Sequence, residues 1–151
     1  MSIESVKRYF EENRPEFKVI EIDQSTATVE LAAAALGVEP ARIAKTMAFR
    51  LKERDILILS KGDARVDNRK YKDEFREKAK MLKPEEVLDV TGHPVGGVCP
   101  FGLRSSLDVY LDVSLKEFDT VFPAAGSPNS AVEMTPEQLK EITGGIWVDV
   151  C

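Results

Sequence analysis

The chain has 151 residues, one histidine, two cysteines, and a formal net charge of -5 with a pI near 5.1. That length suits one domain spanning 1–151 with a proper core, and the acidic balance argues against a broadly basic nucleic-acid face. With so few histidine and cysteine ligands a usual zinc site is close to excluded, although carboxylates could still hold magnesium.

Ile3, Val6 and Phe10 fall at helical spacing behind a possible Ser2 cap, so the chain is expected to open on an amphipathic helix that ends at Arg14-Pro15. The opening residues lack the basic and apolar regions of a secretory signal, and no apolar run approaches membrane-spanning length. Together with the sparse cysteines, Cys99 and Cys151, this points to a reducing cytoplasm. Phe17 to Ile22 reads as a strand. Ser25, Thr26 and Thr28 offer caps for a helix from Val29 to Leu36, which Gly37 ends, and Pro40 starts a further short helix.

Ala44 to Leu51 alternates as a strand does, with Lys45, Met47, Phe49 and Leu51 on one face and Thr46, Ala48 and Arg50 on the other. A lysine in phase with three large apolar residues reads in two ways. It is a residue snorkelling at the strand's mouth, or a cation at the lip of a half-buried pocket that could grip a phosphate. Ile56 to Ser60 returns as the second arm of a hairpin. Asp67 can cap a charged helix carrying Tyr71 and Phe75, and Pro84 starts another that Gly92 stops.

Gly96-Gly97-Val98-Cys99-Pro100-Phe101-Gly102 follows, with three glycines and a proline in one loop. Its backbone can adopt positive φ and present N–H groups to a ligand, while Val98 and Phe101 pack it down. It reads equally as a tight connection between core strands. Leu107 to Asp112 and Thr120 to Phe122 are expected strands. Ala124 to Asn129 is a second small-residue loop, Val132 to Met134 a short strand, and Thr135-Pro136-Glu137-Gln138 a helix start with a capping box. Gly144-Gly145 closes that helix before a last strand, Ile146 to Val150. Strands and helices interleave, so the expected class is mixed α/β.

The sequence offers no convincing side-chain nucleophile. Cys99 and His93 sit beside the same loop, but no third group orients them, and a cysteine in an apolar loop is usually packing. P-loop, dinucleotide and nucleophile-elbow signatures are absent. A pocket made of main-chain donors and one cation remains.

Ile43-Ala44-Lys45-Thr46-Met47, followed downstream by the Gly96–Gly102 loop, resembles the YbaK/EbsC family, free-standing relatives of the editing domain of bacterial prolyl-tRNA synthetases. The shared pattern is a lysine at the start of a strand and a Gly-x-x-x-Pro loop, here Gly96 to Pro100, and the order of elements agrees along nearly the whole chain. The resemblance implies one mixed α+β domain with a distorted, barrel-like mixed sheet surrounded by helices. It also implies a metal-free, cofactor-free, trans-acting hydrolase of misacylated tRNA. In that scheme the catalytic set is Lys45, Gly96, Gly97, Val98, Cys99 and Pro100. Lys45 holds a phosphate near the terminal adenosine, and the loop backbone positions the aminoacyl carbonyl and stabilises the oxyanion. Thr26, Thr46, Phe101, Gly102, Gly126 and Ser127 are carried over as substrate-binding.

The implied partners are the aminoacyl-tRNA acceptor end and an aminoacyl-tRNA synthetase, with no membrane, in a monomer or weak homodimer. At the second loop the cysteinyl-specific branch reads Ser-Gly-Gly-Lys-Arg-Gly, where this chain has Ala124-Ala125-Gly126-Ser127-Pro128-Asn129. That departure leaves a small residue (Ala, Ser, Thr or Cys) as the expected cargo. A non-catalytic binder of aminoacylated or nucleotide ends, and a thiol enzyme using Cys99, are the competing readings.

Overall fold

A computed structural model describes residues 2–151. Helix α1 (Ser2–Asn13) leads into a two-residue strand, β1 (Ile20–Glu21), and then α2 (Val29–Leu36). A 3-10 turn at Pro40–Arg42 delivers the chain to the hairpin β2 (Ile43–Arg50) and β3 (Asp55–Lys61). After α3 (Asn68–Phe75) and α4 (Pro84–Thr91) come β4 (Asp108–Asp112), β5 (Phe122–Pro123), β6 (Ser130–Ala131), α5 (Pro136–Thr143) and β7 (Ile146–Val148). None of the described helices is long and apolar enough to cross a membrane.

The main sheet has the order β5-β2-β3-β4-β7, with only β2 and β3 antiparallel. β3 lies at its centre, and Ile56, Leu57, Ile58 and Leu59 are all fully buried, as a strand covered on both faces must be. Its alternation sorts two cores. Leu57 and Leu59 join Ala44, Ala48, Val109 and Leu111 on the face covered by α1. Ile56 and Ile58 join Phe49, Leu51 and Tyr71 on the face covered by α3.

Three of the expected caps act as the sequence predicts, whereas Ser2, expected as a cap, is itself the first residue of α1 and its hydroxyl donates to Gly126 C=O. Thr28 accepts from Leu31 N–H, Asp67 from Arg69 and Lys70 N–H, and Thr135 exchanges both capping-box bonds with Gln138. Gly37, Gly92 and Gly144 end their helices in the left-handed region.

Three expected strands are shorter or displaced. Phe17 to Ile22 pairs only at Ile20–Glu21, because its partner offers just Ser130–Ala131 before the chain turns at Pro128-Asn129. The strand expected at Val132–Met134 is thus β6 at Ser130–Ala131, with Met134 making a lone bridge to Val121. The last strand stops at Val148, and the buried Asp112 carboxylate takes the N–H groups of Val150 and Cys151 in place of a ladder.

Candidate functional site

A cavity of about 330 Å³ opens at the exposed edge of β2, at the small end of the ~300–1,000 Å³ range of ligand sites. Its floor is Ala44 to Ala48, and its walls come from distant parts of the chain. Thr26 to Val29 contribute the start of α2, Met81 to Val87 the approach to α4, and Val95, Gly96 and Val98 the glycine-rich loop. Phe122, Ala124, Ser130 and Ala131 close the far side. The lining is mainly apolar, with exposed Met81 and Val95 at its rim.

Lys45 and Thr46 belong to opposite faces of β2. The Lys45 ammonium donates to the Ala64 carbonyl and forms no ion pair among the described residues. A lysine ammonium has three N–H donors, so this bond leaves capacity for an anion. Thr46 Oγ1 is buried with no hydrogen-bond partner among the described residues. Thr26 also lines the cavity, but its hydroxyl is engaged, donating to Ser130 C=O and accepting from Ser130 N–H.

The glycine-rich loop is held at both ends. Gly97 N–H donates to Pro94 C=O at 2.9 Å, and Arg104 N–H to Thr91 C=O at 3.0 Å. His93 Nε2 lies 2.7 Å from Phe101 C=O, so that nitrogen carries the proton and donates. Gly96 has φ +95°, and a Cβ there would come 3.1 Å from Ala27 Cβ, so glycine allows the loop to reach the start of α2. No hydrogen bond among the described residues uses the N–H of Gly96 or Val98, and both residues line the cavity.

The second half of the loop turns inward. Cys99, Pro100 and Phe101 are buried, and the Phe101 ring packs 4.9 Å from that of Phe10. Cys99 has no exposed surface, and burial pushes its thiol up to about 12. Its sulfur is 3.6 Å from His93 Nε2, whose proton is directed at Phe101. Burial also lowers the pKa of His93. The pair is a protonated thiol beside a neutral imidazole, which is not a nucleophile and its base.

Gly97, Gly102, Gly126 and Ser127 lie behind the cavity rather than in its lining. Gly97 abuts the Gly126–Ser127 backbone, Gly102 abuts Ser5, and Gly126 abuts Ser2 and Val6. Ser127 Oγ bonds to Asn129 and Ser130 side chains at 2.8 Å. The structure therefore brings Lys45, Thr46, Thr26, Gly96 and Val98 to one cavity, with the second loop as their support. Sequence reasoning missed Ala27, Thr28, Met81, Pro84 and Ser130 as cavity residues, whose only early signal was the cluster of caps before α2 and the proline that starts α4.

Residues 23–142 match the aminoacyl-tRNA editing domain family. The chain is 52% identical over its whole length to the uncharacterized protein YwhH of Bacillus subtilis, covering 98% of that protein. It is 24% identical over 95% of its length to EbsC of Enterococcus faecalis, a candidate Cys-tRNA(Pro)/Cys-tRNA(Cys) deacylase, covering 90% of that protein. A crystal structure described as a candidate trans-editing enzyme for prolyl-tRNA synthetase superposes with a TM-score of 0.91 at 33% identity, over 99% of this chain and 96% of that one.

Proposed function

This chain belongs to the aminoacyl-tRNA editing domain family and is an aminoacyl-tRNA deacylase, and on that premise we propose that it clears small amino acids (Ala, Ser, Thr or Cys) from misacylated tRNA in trans. The observation that carries this reading is a small, mainly apolar cavity with the uncommitted N–H groups of Gly96 and Val98 in its wall and Lys45 along its floor. An ester carbonyl placed against those N–H groups would meet donors already fixed in position, as the developing oxyanion requires. Lys45 would take a phosphate of the acceptor end, sharing its ammonium between that anion and Ala64 C=O.

In the reaction so read, a water oxygen attacks the ester carbon, and a neighbouring hydroxyl of the substrate can relay its proton. The tetrahedral oxyanion forms against the loop, the bond to the ribose oxygen breaks, and that oxygen leaves with the proton of the attacking group. Cys99 and Phe101 act as packing that holds the loop, and Pro100 stiffens it. Gly97, Gly102, Gly126 and Ser127 serve by letting the two loops lie against each other and against α1. We take residues 1–151 as one editing domain working in the cytoplasm as a monomer or weak homodimer, alongside an aminoacyl-tRNA synthetase.

The test is a deacylation panel in which purified protein meets tRNAs charged with Ala, Ser, Thr, Cys, Pro, Phe and Trp. Release of the small residues with sparing of the aromatic ones is expected. Tight binding of every aminoacyl-tRNA without release of amino acid would replace hydrolysis by sequestration.

A further inference from the structure

The free edge of β2 is covered twice, and the two coverings do not meet. At its start β5 pairs with Ile43 and Ala44. At its end the segment 80–82 pairs in the opposite sense, Arg50 N–H donating to Lys80 C=O at 2.8 Å and Leu82 N–H to Ala48 C=O at 3.0 Å. Those two bonds fix the phase of the strand, because the even-numbered residues turn their peptide groups away from β3 and toward the edge. Thr46 is the even-numbered residue left between.

On one flank the β5 ladder stops at the Ala44–Pro123 pair, short of Thr46. On the other, the next donor in register with Thr46 C=O belongs to residue 84. That residue is Pro84, which has no N–H and has already begun α4. Among the described residues no further hydrogen bond involves the Thr46 peptide, and its hydroxyl is also unpartnered. Thr46, Pro84 and Ala124 all line the cavity. A donor, an acceptor and a hydroxyl on one residue are thus left open inside an apolar pocket, although such groups are nearly always paired in folded proteins.

We propose that the aminoacyl group fills this gap as a strand of one residue, a refinement that rests on the deacylase reading above. Its α-ammonium donates to Thr46 C=O, and its ester carbonyl accepts from Thr46 N–H on one lone pair while the Gly96–Val98 donors take the other. The N and C=O of a single amino acid are the pair that such an edge residue matches. Facing residues in an antiparallel pair project their side chains to the same face. The substrate side chain therefore lies beside Thr46 Oγ1, on the face that carries the small residues Ala44 and Ala48. The ligand class is an L-α-aminoacyl ester with a free amine and a short side chain, a hydroxylated one gaining a bond from Thr46.

Non-hydrolysable 3′-amide analogues of aminoacyl-adenosine test this with amide NMR of the labelled protein. The seryl and alanyl amides should shift the Thr46 amide proton at saturation. Their counterparts lacking the α-amine should bind about ten- to a hundred-fold more weakly, as loss of a charged hydrogen bond implies. Thr46→Val should keep the Thr46-position amide shift but reduce the preference for seryl over alanyl by about five-fold. Equal affinity with and without the amine, or an unmoved amide in the saturated complex, overturns the edge pairing. If tRNA deacylation persists in that case, only this docking mode falls. If no analogue binds and no aminoacyl-tRNA is cleaved, the deacylase reading falls with it.

Discussion

Lys45 is held by a neutral carbonyl and no carboxylate, so an incoming phosphate would find a cation already placed and not neutralised. Lys45→Ala should therefore cost a charged hydrogen bond, about 1.5–3 kcal/mol, or roughly ten- to a hundred-fold in kcat/KM. The fold should survive, because a half-buried lysine at a strand edge contributes little packing. Wild-type turnover by soluble, folded Lys45→Ala would end its assignment as the phosphate ligand. For Cys99 the expectation is the reverse. A thiol with no exposed surface and a pKa near 12 is protonated at working pH, so Cys99→Ser should stay within about ten-fold of wild type, and iodoacetamide should leave Cys99 of the native protein unmodified, any label going to the partly exposed Cys151. Trapping of an acyl-thioester on wild type would contradict this. His93 is the chain's one histidine, buried and neutral, with Nδ1 unpartnered. Its folded pKa lies below the unfolded value, so below about pH 6.5 the unfolded chain takes the proton first. The stability it contributes is present above that pH and is lost as pH falls through the folded pKa. Thermal midpoints recorded from neutral to mildly acid pH should fall for wild type and flatten for His93→Gln. Parallel curves for the two proteins would show that another group sets the slope.

Among the elements, the two small-residue loops form a single support. A Cβ on Gly97 would sit 2.7 Å from Ser127 N and 2.9 Å from Gly126 C, and backbone cannot yield as a side-chain end can. Gly97→Val should lower activity on every aminoacyl-tRNA alike, because it displaces the loop rather than the cargo. A change in cargo preference at undiminished total rate would mean that Gly97 borders the side-chain pocket directly. These contacts also explain which parts of the structure were legible in the sequence. Caps and helix ends depend on neighbours within a turn, so Thr28, Asp67, Thr135 and the terminating glycines were readable from residue type alone. The strands β1 and β6 were not, because their length is set by a partner about a hundred residues away and by the turn at Pro128-Asn129. The lysine strand and the glycine loop were visible as motifs. Cys99 and Phe101 are core, as their apolar setting predicts, whereas Val98, expected to pack down beside Phe101, lines the cavity with Gly96, which the motif alone does not show. The walls from α2 and from Met81 to Val87 left almost no local trace, because their role arises only when the chain closes around the edge of β2.

At the scale of the whole molecule, a net charge of -5 and a cavity of about 330 Å³ limit how a large anion such as tRNA can be held. Long-range attraction is weak or adverse for an acidic protein, so recognition must concentrate at the acceptor end, where on the proposed reading Lys45 and the loop donors would act at short range. For the proposed small-residue cargo, size selection would come from the walls. A hydrophobic pocket separates ligands differing by one methylene by only about 1–3 kcal/mol, so large residues must be refused by steric blocking rather than by lost affinity. Ala44 and Ala48 leave room on the floor, while Val98, Phe122 and Leu82 bound it. Rates measured side by side on aminoacyl-tRNAs and on the matching amino-acid methyl esters separate the two contributions. Small residues should be released from tRNA and aromatic ones spared, and the methyl esters of the same small residues should react slowly because they bring no phosphate to Lys45. Lys45→Ala should narrow the gap between tRNA and methyl ester, since it weakens only the phosphate-bearing substrate. Equal wild-type rates on the two ester types would remove the phosphate anchor, whereas rapid release of phenylalanine or tryptophan from tRNA would show that the walls of the cavity open far enough to admit an aromatic ring.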